Sequence, residues 1–139
     1  MAARGELEPI EPSVAAAEQG LVSASRSHAT CREIAESDPR SCLLLAWDGV
    51  AFPILAAALA LAGYRLTSRQ GHHRVAVESG RLLLGEDALL SRIGGLRRSR
   101  DRTMYEQHRP DTADVADFLQ DLELLRTLAV AAIERARRT

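Results

Sequence analysis

Apolar positions recur at spacings of three and four along most of this chain, the period of an amphipathic helix. Ser13 is a good N-cap for a first helix reaching about Ser37. Asp38-Pro39-Arg40-Ser41 reads as a turn, with Pro39 suited to the first position of a second helix that runs to about Ala62. That helix is apolar on nearly every side, so the pattern makes it the central, most buried one, kinked by Pro53 and ended by Gly63. A third helix is expected from Thr67 or Ser68 to about Leu84 and a fourth from Glu86 to Gln107, with the pair Gly94-Gly95 inside it as a kink or close approach. Asp111 or Thr112 caps a fifth, to about Arg137, carrying Val115, Phe118, Leu119, Leu122, Leu125 and Ala129. No strand pattern or internal repeat stands out. The expected architecture is all-α: an antiparallel helical bundle of four to five helices over residues 13–139, preceded by an acidic, proline-bearing tail over 1–12 that reads as disordered.

Composition agrees with helix, since Ala and Leu dominate and aromatics make up 4% of the 139 residues. The apolar run from Cys42 to Ala62 is long enough for a membrane span. Asp48 and Pro53 interrupt it, which favours a buried bundle helix and no membrane partner. The start of the chain shows no secretory signal pattern, and Cys31 and Cys42 fit reduced thiols, so a cytoplasmic location is expected. All basic residues are Arg. Residues 1–64 hold four Arg against eight acids, and residues 65–139 hold fourteen against eleven. A more basic second half fits contact with phosphate or with an acidic partner.

The densest chemistry lies in Gly95-Leu96-Arg97-Arg98-Ser99-Arg100-Asp101-Arg102-Thr103-Met104-Tyr105-Glu106-Gln107-His108. Leu89, Ile93, Leu96 and Met104 mark the core stripe of its helix, and Arg100 falls on that stripe. A guanidinium in a core-facing register is either paired or functional, because an unpaired buried charge is costly. Arg100 therefore reads either as a phosphate ligand or as the structural partner of Asp48, the lone charge of the apolar helix. At about 100° per residue, Asp101, Tyr105 and His108 share one face, whereas Arg102 and His108 are about 120° apart. Tyr105 is expected to pack its ring at a helix interface. His108 suits general acid–base work or a solvated place at the helix end. His72 and His73, adjacent on a helix, should point in different directions. With His28 and Cys31 as the only other His/Cys pair, they make no metal motif, and neither metal nor cofactor is expected.

Three pieces together resemble the HEPN superfamily of helical domains: Ala57-Ala58-Leu59-Ala60-Leu61-Ala62-Gly63, then Gly71-His72-His73-Arg74, then Arg98-Ser99-Arg100-Asp101-Arg102-Thr103-Met104-Tyr105-Glu106. The resemblance covers roughly residues 20–139. It implies paired α-hairpins, a homodimer, and a role with RNA or with an antitoxin or other partner protein. Active members resemble metal-independent ribonucleases, in which an Arg, a following polar residue and a His four to six residues on meet at the dimer cleft. Arg102 and His108 have five residues between them, which the resemblance permits as the catalytic pair, with Arg100, Asp101 and Tyr105 as binding residues. Thr103 follows Arg102 where Asn or Asp belongs, and Arg100-Asp101 is followed by Tyr105 in place of His. The departure points to a degenerate, non-catalytic member in an RNA-associated or toxin–antitoxin role, with a metal-independent endoribonuclease as the alternative.

Overall fold

A computed structural model describes residues 6–67, 71–106 and 108–139. The elements are β1 (Leu7–Pro9), α1 (Val14–Ile34), α2 (Pro39–Leu45), a π turn (Ala46–Ala51), α3 (Phe52–Ala62), β2 (Tyr64–Leu66), α4 (His72–Leu84), α5 (Asp87–Tyr105) and α6 (Thr112–Arg137). Because α2, the π turn and α3 run on as one rod, the described residues form an all-α bundle of five helical rods with one very small sheet.

The helix ends follow local chemistry. Ser13 Oγ accepts from the Ala16 amide, Asp38 from Ser41 and Asp111 from Ala113, each relieving an amide that the first turn leaves without a partner. The third helix begins at His72 after β2, later than expected, and the alternative start at Ser68 lies outside the described residues, as does Gln107.

The central rod is long and apolar enough to cross a membrane by length and composition. Of its most apolar window, 61% is buried inside the fold. Trp47, Val50, Ile54, Leu55 and Leu59 sit in the core with Leu90, Ile93, Leu96, Leu122 and Leu125 from α5 and α6. Pro53 does not break the rod. A proline lacks an amide hydrogen and its ring crowds the carbonyl four residues back. The turn before it widens, and the Phe52 amide donates to Trp47, five residues back.

The expectation for the tail changes. Residues 7–9, read as part of a disordered tail, form a strand antiparallel to Tyr64–Leu66. Leu7 is buried with Leu59 and Val75, and Glu8 takes a two-pronged bond from Arg65 at 2.9 and 3.1 Å. Strands of three residues are too short to show alternation, so only tertiary pairing reveals them. The Gly94-Gly95 pair leaves α5 unbroken. Gly94 is buried near Val77, and the Arg98 guanidinium lies over both glycines.

Candidate functional site: a charged patch over a π turn

Asp48 is an exposed carboxylate in a turn whose Ala46, Trp47, Val50 and Ala51 are buried. Gly49 lets this turn approach α1. A Cβ there would stand 2.6 Å from Leu45 Cδ1 and 2.9 Å from Ser27 Oγ, closer than atoms tolerate. The turn thereby presents Asp48 to α5.

Arg100 meets it. Its Nη2 lies 3.1 Å from Asp48 Oδ1 and 3.3 Å from Oδ2, and its Nη1 is 3.1 Å from Asp101 Oδ1. Asp101 also takes Arg97 Nη1 on its other oxygen, again at 3.1 Å. Burial works against the charge of Arg100, but the bond to Asp101 and the charge of Asp48 outweigh it and hold its pKa above the ordinary value. Two guanidiniums and two carboxylates thus close on one another. Arg100 Nε and Thr103 Oγ1 are buried without a hydrogen-bond partner among the described residues.

The core stripe of α5 continues to Thr103, fully buried, and Met104 is exposed at 43%, contrary to the expected register. From Leu96, seven residues return a helix to within about 20° of the same face, whereas eight overshoot by about 80°. Tyr105 likewise does not pack at a helix interface, being 76% exposed. His108 lies beyond the end of α5 at Tyr105, so the shared face expected for Asp101, Tyr105 and His108 does not form. Arg102 is exposed and donates to Ser99 Oγ at 3.4 Å, while His108 is exposed outside the helix. Arg98, Arg102 and Tyr105, at i, i+4 and i+7, form an exposed stripe on the side of α5 away from Arg100.

The residues that sequence reasoning missed are Trp47, Phe52 and the pairing of the two histidines. The rings of His72 and His73 stand 4.2 Å apart at 34°, not turned away from each other, and Phe52 packs 5.4 and 4.8 Å from them. Trp47 Nε1 donates to His73 Nδ1 at 2.8 Å. An indole can only donate, so the geometry assigns His73 Nδ1 as bare and, in the neutral ring, places the proton on Nε2. Burial, then the charges of His72 and Arg100, hold this imidazole below its ordinary value of 6.5, with Asp48 and Asp101 pulling the other way. The one signal available in the sequence was the lone Trp beside the lone acid of the apolar helix.

Elsewhere, His28 is buried against Glu123 at 3.6 Å, and Cys31 and Cys42 are free thiols, each bonded to the other's carbonyl. A groove of about 420 Å³ between α5 and α6 is lined by Arg92, Arg98, Asp114, Asp117, Phe118 and Asp121. Its charges are mixed, and Arg92 already holds Asp121 at 3.0 Å. No group of three His, Cys, Asp or Glu side chains suited to a metal occurs among the described residues.

The protein is thus an all-α bundle in which Asp48, His73, Arg97, Arg100 and Asp101 form one linked polar patch around the π turn. No family model matches the chain, and no curated protein or solved structure does.

Proposed function

We propose that this chain is a HEPN-like helical module, cytoplasmic and dimeric, that binds single-stranded RNA without cleaving it and serves a toxin–antitoxin or stress-response role. The observation that carries the reading is the division of α5. Arg100 is sealed by Asp48 and Asp101, while Arg98, Arg102 and Tyr105 stand exposed on the far side. Exposed arginines beside an exposed aromatic ring suit a flexible strand, which offers phosphates to the cations and unstacked bases to the ring. A hydrolytic site needs its acid–base group held against a phosphate ligand. Here Arg102 turns to Ser99, and His108 sits past the helix end.

The test is fluorescence anisotropy with labelled single-stranded RNA, run beside incubation of total RNA in EDTA. Expected are salt-dependent binding, roughly tenfold weakened by Tyr105→Ala because a stacked base is worth about 1–3 kcal/mol, and intact RNA. Absence of binding at low salt overturns the RNA reading. Cleavage that disappears in His108→Ala instead assigns a metal-independent endoribonuclease using Arg102 and His108.

A further inference from the structure

The Trp47–His73 bond ties the π turn to α4 through the only tryptophan of the chain, whose side chain is wholly buried. The bond exists only while His73 Nδ1 is bare. A proton there would set two N–H donors against each other at 2.8 Å, an arrangement with no attraction left in it. Asp48 from the π turn, Arg100 and Asp101 from α5 and His72 from α4 all act on this imidazole. Asp48 and Asp101 are the same two carboxylates that hold Arg100.

We propose that His73 is a proton-operated latch on the π turn: by taking a proton from solvent at Nδ1 it releases Trp47 and competes as a cation with Arg100 for Asp48 and Asp101. In the neutral state the latch is closed and Arg100 is sealed. In the acid state the indole N–H loses its acceptor, the turn loses its tie to α4, and the carboxylates are shared among more positive charge than they can pair. Because His73 is only half-buried, a proton can reach it without unfolding the bundle. Its lowered affinity for that proton, set by burial and by the charges of His72 and Arg100, puts the transition below the ordinary histidine value of 6.5. The device is independent of RNA and belongs to the chain itself.

The lone tryptophan reports on it directly. Emission of the full chain is followed from about pH 8 to about pH 5, across the histidine range and below, with far-UV circular dichroism confirming that the helices stay folded. Expected is a reversible change in Trp47 emission in the wild type and a flat trace in His73→Gln, which does not titrate there. An unchanged transition in His73→Gln, or no transition in the folded wild type, overturns the proposal. If His73→Gln does not fold, the indole N–H cross-peak of the wild type takes its place. It should shift and lose its protection from solvent exchange on acidification, and a peak that stays in place and protected overturns the latch.

Discussion

Replacing Arg100 by methionine and by alanine separates the contribution of its charge from that of its stem. The side chain is 12% exposed, whereas Asp48 and Asp101 are 46% and 37% exposed. Breaking a fully buried pair costs about 3–5 kcal/mol, and an exposed pair is worth about 0.2–1 kcal/mol. Both carboxylates can rehydrate, so the coupling of Arg100 to Asp48 should lie near the lower range, at about 1 kcal/mol. Alanine removes in addition two buried methylenes, worth about 1.6 kcal/mol together. Arg100→Met should therefore cost about 1 kcal/mol, and Arg100→Ala about 2.5 kcal/mol. At roughly 4 °C per kcal/mol for a chain of this size, Tm should fall by about 4 and 10 °C. The assay is urea and thermal unfolding followed by far-UV circular dichroism, completed as a double-mutant cycle with Asp48→Asn. If Arg100→Met leaves stability unchanged and the cycle shows no coupling, the ion pair is not what holds this side chain. A tenfold loss of RNA affinity in folded Arg100→Met would show instead that Arg100 contacts phosphate.

Gly80 is a point where α4 lies hard against its neighbours, since a Cβ there would meet Leu55 Cδ2 at 2.7 Å and Leu90 Cδ1 at 2.9 Å. Gly80→Ala should lower stability by about 1 kcal/mol, the overpacking cost outweighing the better helix propensity of alanine. A raised Tm would show that the two leucines yield. Stability should also fall in two stages on acidification. Burial first of all holds His28 and His73 below their ordinary 6.5, so the unfolded chain binds more protons there; stability is complete above that value and declines as pH drops below it. Glu123, bonded to Arg126, and Asp38, bonded to Ser41, sit below their ordinary 4.5 and 3.8, so a second decline follows in the carboxylate range. Calorimetric Tm against pH checks both, and a flat curve between neutrality and the carboxylate range refutes the histidine contribution.

How much was legible differs from residue to residue. Ser13, Pro39, Gly63 and Asp111 bound helices in the sequence because capping depends on neighbours within a turn. The lone Arg100 on an apolar stripe and the lone Asp48 in an apolar helix could be matched, since a low-dielectric interior forces such charges to find partners. Leu7–Pro9 could not be read as a strand, because its partner lies more than fifty residues away.

The amino-acid sequence by itself therefore determined the all-α class, the helix ends at Ser13, Pro39, Gly63 and Asp111, and the positions of the charges that had to be paired. These rest on period, propensity and burial cost, all of which act locally or by composition. Only the tertiary structure decided that the chain passes Pro53 through a π turn, that Leu7–Pro9 pairs with Tyr64–Leu66, and that His73 meets Trp47. Each of those depends on which helices press together and on the hydrogen bond one backbone or side chain leaves for another. Such a choice has no periodic trace in the chain.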